Sequence, residues 1–157
     1  MTTKILHEAC SIINKHFNHI PIVYGSLCLN YYIENHLGIK DIDLLMPIKL
    51  IEESKDKLVS VFATHGFEYL DQELLTFRKD NVDVEIARLE DWTQACNFML
   101  DLSTVNLELC TYKVLSITDL RRLYVFLHQD PRRNTIKRQK DLLKIELIDF
   151  YLLQRSK

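Results

Sequence analysis

The sequence predicts an α/β fold, or α+β in stricter usage, with a mixed, mainly antiparallel sheet, helices on one face of the sheet and a helical C-terminal section. Three observations support this prediction. A short apolar strand, a glycine turn and a helical pattern follow one another directly between residues 22 and 37. Three strand-like runs separated by short polar turns occupy residues 67 to 89. Beyond Asp91 the spacing of apolar residues becomes mainly helical.

Each predicted element follows from apolar spacing and from the residues that begin or end it. The elements are, in order, helix 3–17, strand 22–24, helix 26–37, strand 41–46, helix 49–65, strands 67–72, 74–79 and 82–89, and helices 117–129 and 134–153. Ser26 is expected to cap the second helix and Gly38 to end it. Pro47 closes the strand before it, and Asp80-Asn81 forms a two-residue hairpin connection.

The region between the three strands and the last two helices is less regular. An alternating run at Val105, Leu107 and Leu109, extended in one interpretation to Val114, predicts one further strand. Ser116 is a good N-cap for the helix that follows it. We therefore expect helices to dominate this part of the chain, with a single strand interrupting them.

Length and composition are those of an ordered globular protein. The 157 residues are 47% hydrophobic and 27% charged, which is enough for one domain with its own core. We predict a core at residues 1–90 and a mainly helical section at 91–157 packed on it. The net charge of −2 and the pI near 6.3 provide no global basic field, so any binding of nucleic acid must be local.

The sequence also predicts where the protein works. No run of eighteen apolar residues occurs, and the first seventeen residues lack a long apolar segment. The four cysteines are widely spaced and form no CxxC pair, so we expect them to be reduced and mostly buried. These features predict a cytoplasmic protein without a membrane partner.

Two acids on one predicted strand are the strongest chemical signal. Alternation places Asp41 and Asp43 on one face of the strand and the apolar Ile42 and Leu44 on the other. Two carboxylates held close repel each other by roughly 4 kcal/mol at an effective dielectric constant near 20. A magnesium ion, which takes oxygen ligands, is the expected compensation. The alternative is a solvated edge strand whose two acids face water.

Two further features extend this signal. Gly25-Ser26 lies where a strand runs into a helix, and the free N–H groups of the helix suit a phosphate there; an ordinary sharp turn is the alternative. The later strand carries Asp83 and Glu85 at the same alternating spacing. Three carboxylates on neighbouring strands can bind two ions. Either Asp83 or Glu85 is then the third acid.

The last helix carries a basic face. At helical spacing, Arg133, Lys137, Lys140 and Lys144 share one side. A side this uniformly positive suits phosphate groups. A solvated helix surface and an RNA-binding surface are the alternative interpretations.

The order of these motifs resembles the polymerase-beta-type nucleotidyltransferase superfamily over residues from about 20 to 87. The resemblance implies a nucleotidyltransferase-like fold and Mg²⁺-dependent transfer of a nucleoside monophosphate from a nucleoside triphosphate to a hydroxyl, with release of pyrophosphate. It implies that Gly25 and Ser26 grip the phosphates of the nucleotide. It also implies that Asp41 and Asp43 bind two Mg²⁺ ions, with Mn²⁺ as a substitute. Asp83 then binds the catalytic ion and activates the acceptor hydroxyl.

A second similarity lies near the C-terminus. The segments 116–120 and 137–145 are similar to the closing helices of small antibiotic-modifying and toxin-type nucleotidyltransferases. This similarity implies that Lys140 contacts the triphosphate and that Asp141 orients Lys140. The acceptor is then a small hydroxylated molecule, a tRNA end or a protein side chain, and a partner protein is expected, as in a toxin-antitoxin pair. A non-catalytic nucleotide-binding module and an RNA-binding protein are the competing interpretations.

Overall fold

The computed structural model describes residues 1–34, 39–96 and 99–157, and these residues form six helices and seven strands. The helices are α1 Thr2–Phe17, α2 Gly25–Tyr32, α3 Ile48–Thr64, α4 Leu89–Cys96, α5 Ile117–Gln129 and α6 Thr135–Arg155. The strands are β1 Ile22–Tyr24, β2 Asp41–Met46, β3 Glu68–Asp71, β4 Leu75–Lys79, β5 Val82–Arg88, β6 Leu102–Asn106 and β7 Thr111–Leu115. None of the described helices is both long enough and apolar enough to cross a bilayer.

All seven strands belong to one sheet, in the order β3-β4-β5-β2-β1-β7-β6. The pairs β3–β4, β4–β5, β1–β2 and β6–β7 are antiparallel, whereas β2–β5 and β1–β7 are parallel. The prediction of a mixed, mainly antiparallel sheet is therefore confirmed. The parallel pair β2–β5 matters most, because it joins the two acidic strands.

The two faces of the sheet are covered by different helices. On one face, His7 of α1 stacks on Tyr112 of β7, and Phe62 of α3 stacks on Phe77 of β4 at 4.3 Å between ring centroids. On the other face, the side chain of Tyr24 contacts Trp92 of α4. Trp92 in turn contacts α5. The predicted fold class, a mixed sheet with packed helices and a helical C-terminal section, is confirmed.

The hairpin connection between β4 and β5 is also confirmed. Asp80 and Asn81 have φ values of 51° and 60°, and two consecutive positive φ angles are the requirement of a type I′ turn. This turn fixes which residues of β4 and β5 lie opposite one another.

The single strand predicted after residue 100 was wrong. Val105 belongs to β6 and Val114 to β7, and the two strands form a hairpin within the sheet. Leu107 lies in the turn, where its N–H donates a hydrogen bond of 2.9 Å to the carbonyl of Cys110, and Leu109 is 70% exposed. The turn contains no glycine or proline, so alternation alone did not reveal it. The sheet therefore continues past the predicted boundary at residue 90.

The predicted caps had mixed outcomes. Ser116 caps α5, since its hydroxyl accepts a hydrogen bond from the N–H of Asp119 at 3.1 Å. Ser26 does not cap α2, because the helix begins one residue earlier at Gly25 and Tyr24 occupies the cap position without a side-chain hydrogen bond. The helix ends at Tyr32, well before Leu37. Leu37 and Gly38, its predicted end and stop, lie outside the described residues.

Candidate functional site

Four carboxylates lie side by side on one face of β2 and β5. The parallel register places Asp41 beside Asp83 and Asp43 beside Glu85, and alternation along each strand keeps all four on the same face. The two acids of β2 therefore meet both candidates for the third acid.

These pairs belong to two rows that run across the sheet. In the first row Arg78 of β4 lies opposite Asp83, which lies beside Asp41. In the second row Glu85 lies beside Asp43, and Asp43 lies opposite Tyr24 of β1. Arg78 in turn lies opposite Glu68 of β3, so the first row holds one cation among carboxylates. The second row reaches the buried aromatic ring of Tyr24.

The glycine turn touches the second row directly. Gly25 has a φ of 68°, and a Cβ added to it would lie 2.2 Å from Oδ2 of Asp43 and 2.9 Å from its Cγ. No side chain larger than hydrogen fits there without displacing the carboxylate. The missing side chain of Gly25 therefore leaves room for an acidic side chain against the start of α2. Ser26 is half-buried in the first turn of that helix.

Three of the four acids are electrostatically unfavourable as placed. Burial, followed by the charges of Glu85 and Asp41, raises the pKa of Asp43 from 3.8 to about 7. Burial and the charge of Asp83 raise the pKa of Asp41. Burial and the charges of Asp41 and Asp83 likewise raise the pKa of Glu85. The folded chain thus concentrates negative charge that it compensates only in part.

Asp83 is the exception, because it has a cation of its own. Its Oδ1 accepts a hydrogen bond from Nε of Arg78 at 2.6 Å, and its Oδ2 accepts one from Nη2 at 2.8 Å. These bonds lower the pKa of Asp83. Both oxygens of this carboxylate are therefore directed at a guanidinium.

The carboxylates of β2 and β5 are suitable ligands for a divalent cation, although they are not grouped closely around one point. Within residues 1–34, 39–96 and 99–157, no three His, Cys, Asp or Glu side chains are grouped as a metal-binding cluster. Carboxylate oxygens are nevertheless the ligands that Mg²⁺ prefers. Burial, and after it the neighbouring carboxylates, raise the pKa values of Asp41, Asp43 and Glu85, and a bound cation would oppose both effects.

The C-terminal helices supply the opposite wall of this site. Lys144 of α6 places its Nζ 4.8 Å from the ring centroid of Tyr124 on α5. Burial lowers the pKa of Lys144, and Asp141 and Asp43 oppose this shift. The hydroxyl of Tyr124 lies beside Ser26, yet no hydrogen bond of normal geometry satisfies it within the described residues. A buried, unsatisfied hydroxyl and a half-buried ammonium group thus face the acids.

The other predicted basic residues are placed differently. Lys140 is exposed. Asp141 does not orient Lys140, since it is fully buried and both its oxygens accept hydrogen bonds from Arg133, one of them at 2.8 Å. Lys137 is exposed, and its charge opposes the raised pKa of Glu85. The predicted basic face is therefore divided, with Arg133 bound to Asp141 and Lys144 turned towards the acids.

Sequence reasoning missed the roles of Arg78 and Tyr124 and did not single out Lys144. The position of Arg78 could have been predicted from the sequence, because a two-residue turn at Asp80 and Asn81 puts residue 78 opposite residue 83. Lys144 lies one helical turn after Lys140, and the packing of α6 decides which of the two faces inward. No local signal marks Tyr124, which depends on contacts between α5 and α6.

The sequence of this chain is similar to that of one curated protein. No family model matches the chain. Over 141 residues it is 32% identical to the uncharacterized protein YnaI of Bacillus subtilis (strain 168), a match that covers 87% of this chain and 88% of YnaI.

Solved structures share the fold at low sequence identity. An antigenic nucleotidyltransferase-like protein from Paracoccidioides brasiliensis superposes with a TM-score of 0.62 and 16% identity, covering 91% of this chain and 74% of that one. The crystal structure of ANT(2″)-Ia in complex with adenylyl-2″-tobramycin superposes with a TM-score of 0.55 and 12% identity over 99% of both chains. The solution structure of ANT(2″)-Ia gives 0.53 and 15%, over 99% of this chain and 94% of that one. The nucleotidyltransferase-like fold is confirmed.

Proposed function

Because this chain belongs to the same family as YnaI of Bacillus subtilis and has a nucleotidyltransferase-like fold, we propose that it is a Mg²⁺-dependent nucleotidyltransferase. The proposed reaction moves a nucleoside monophosphate from a nucleoside triphosphate to a hydroxyl acceptor and releases pyrophosphate. One observation carries the proposal: Asp41 and Asp43 lie beside Asp83 and Glu85 on one sheet face, with Asp43 against Gly25.

Each residue of the site has a proposed role. Asp41, Asp43 and Asp83 hold two Mg²⁺ ions, with Mn²⁺ as a substitute. When bound, such ions neutralise phosphate charge and activate the attacking oxygen. Gly25 and Ser26, at the start of α2, bind the β- and γ-phosphates in this proposal.

The third acid also takes the proton of the acceptor hydroxyl. The choice between Asp83 and Glu85 for this step depends on proton affinity. Asp83, the acid implied by the family resemblance, has a lowered pKa, whereas that of Glu85 is raised. A general base works best when its pKa lies near the working pH, so Glu85 is the alternative base.

The acceptor and partners follow from the same proposal. The adenylyl-2″-tobramycin bound to ANT(2″)-Ia is an adenylyl group joined to a small hydroxylated molecule, and it supports ATP as donor and an acceptor of that class here. A tRNA end and a protein side chain are the other proposed acceptors. A partner protein, as in a toxin-antitoxin pair, is proposed to present the larger ones.

Nucleotide binding and label transfer together test the proposal. With Mg²⁺ present, the matching triphosphate at 100 times its dissociation constant should stabilise the protein by about 2.7 kcal/mol, seen as a raised melting temperature. Triphosphate labelled at the α-phosphate should then label an acceptor in a cell extract, and the Asp41→Asn/Asp43→Asn variant should not. Binding without any label would favour the non-catalytic module. No shift with any triphosphate would reject the proposal.

Lys144→Met is expected to lower kcat/KM for the triphosphate about 10- to 100-fold. The half-buried ammonium group of Lys144 lies over the ring of Tyr124 and interacts with the charge of Asp43. It is therefore the cation of α6 best placed to contact a phosphate. Steady-state kinetics measure the loss, and Lys140→Met should lose less because Lys140 is exposed. Lys49→Met, an exposed lysine of α3 paired with Glu53, is the control and should keep full activity. Equal losses at Lys49 and Lys144 would contradict this role.

A further inference from the structure

Arg78 already neutralises one of the carboxylates assigned to the metal ions. Its guanidinium makes two parallel hydrogen bonds to Asp83, at 2.6 and 2.8 Å, one to each oxygen. Such bidentate pairs are the strongest ordinary hydrogen bonds between charged side chains. Each oxygen of Asp83 therefore already accepts one hydrogen bond from Arg78.

The same guanidinium acts on the whole first row of the sheet. Arg78, Asp83 and Asp41 are consecutive cross-strand neighbours. Arg78 lowers the pKa of Asp83 through its hydrogen bonds, and its charge opposes the raised pKa of Asp41. The second row, which contains Asp43 and Glu85, has no cation within the sheet. Among the described residues, Lys144 of α6 opposes the raised pKa of Asp43, and Lys137 of α6 opposes that of Glu85.

The backbone holds Arg78 opposite Asp83, but the Arg78 side chain is free to rotate away from Asp83. The type I′ turn at Asp80 and Asn81 fixes residue 78 opposite residue 83. The Arg78 side chain is 46% exposed, while that of Asp83 is 18% exposed. Rotation about its side-chain bonds therefore carries the guanidinium into solvent without moving a strand.

We propose that Arg78 is a built-in counter-cation that competes with a divalent ion for Asp83. This inference rests on the proposed function and goes one step further, because it predicts unequal affinities for the two ions. The ion held through Asp43 binds without displacing any protein group. An ion held between Asp41 and Asp83 binds only when Arg78 releases Asp83, and the negative charge of an incoming triphosphate favours that release by attracting the guanidinium.

Binding of Mn²⁺ alone, followed by the loss of the electron paramagnetic resonance signal of the free ion, tests the proposal. Arg78→Gln should tighten the weaker Mn²⁺ site roughly three- to tenfold. Arg78→Lys keeps the charge and loses the bidentate grip, so it should tighten the same site to a smaller extent. Adding Asp83→Asn to Arg78→Gln should remove the gain. Circular dichroism confirms that each variant is folded.

The control separates this competition from a general change of charge. Arg88→Gln removes an exposed cation from the end of β5, where Arg88 is 3.9 Å from Glu52, and should leave Mn²⁺ binding unchanged. If Arg78→Gln leaves the weak site unchanged or weakens it while label transfer persists, the counter-cation role is overturned and the proposed function stands. The role is also overturned if Arg78→Lys leaves the Mn²⁺ affinity of the weaker site unchanged and Arg88→Gln tightens that site as much as Arg78→Gln does. If neither the wild type nor any variant binds Mn²⁺, both proposals are overturned.

Discussion

Asp43→Asn is expected to abolish nucleotidyl transfer and, at the same time, to make the metal-free protein more stable at pH 8. Asp43 is the most deeply buried acid of the site, and burial with two neighbouring carboxylates raises its pKa to about 7. Asparagine has nearly the same shape and carries no charge. We expect activity to fall about 100- to 1,000-fold, since removing one principal electrostatic contact to a developing charge costs roughly this much.

The stability gain has a definite pH dependence. Below pH 4 the carboxyl is protonated in both the folded and the unfolded chain. Between pH 4 and about 7 it is protonated only in the folded chain, so the free energy of unfolding falls as the pH rises through this window. Above pH 7 the carboxyl is ionised in both states, and the wild type has lost the full free energy of unfolding that the pKa difference represents. At about 1.4 kcal/mol per pKa unit this loss is roughly 2–4 kcal/mol after relaxation of the neighbouring acids.

Thermal unfolding at pH 5 and pH 8, with and without Mg²⁺, measures this effect. At pH 8 without metal, Asp43→Asn should melt roughly 5–10 °C higher than the wild type, and the gap should narrow at pH 5. Mg²⁺ should raise the melting temperature of the wild type and not that of the variant. Asp56→Asn, which neutralises an exposed acid of α3, should change neither quantity. A variant that is less stable than the wild type at pH 8 would show that the charge of Asp43 is compensated within the metal-free protein.

Much of this site was predictable because its chemistry is local in sequence. Alternation along a strand is fixed by backbone geometry, so the shared face of Asp41 and Asp43 followed once β2 was identified. The two-residue turn at Asp80-Asn81 followed from its residue types. The α/β fold followed from the order of these elements, and the nucleotidyltransferase-like arrangement followed from the resemblance of their motifs to a known superfamily; both are confirmed.

The features of the fold and site that were not predicted depend on contacts between residues far apart in the sequence. Whether Lys140 or Lys144 faces the acids is decided by which side of α6 packs on α5, where Asp141 and Ile145 are buried. The hairpin between β6 and β7 turns at ordinary residues, because the sheet rather than the turn sequence holds the strands together. The close approach of Asp43 to Gly25 likewise comes from β2, a different part of the chain.

Gly25→Ala is the substitution expected to cause the largest loss of stability in the site. The alanine must adopt the positive φ of 68°, which costs roughly 1–2 kcal/mol, and its Cβ would lie 2.2 Å from Oδ2 of Asp43. Displacing that carboxylate adds about 1–2 kcal/mol of overpacking. We expect the free energy of unfolding in urea to fall by about 2–4 kcal/mol and transfer activity to fall at least 100-fold.

Gly66→Ala separates the two contributions. Gly66 also has a positive φ, of 81°, but a Cβ there would approach no atom closer than 3.8 Å, so this variant should lose only the roughly 1–2 kcal/mol that the backbone conformation costs. In an Asp43→Ala background, Gly25→Ala should cost no more than Gly66→Ala, because the colliding carboxylate is gone. Equal costs for Gly25→Ala and Gly66→Ala in the wild-type background would mean that Asp43 moves away freely. The glycine would then be needed for its backbone angle and not for the approach of an acid.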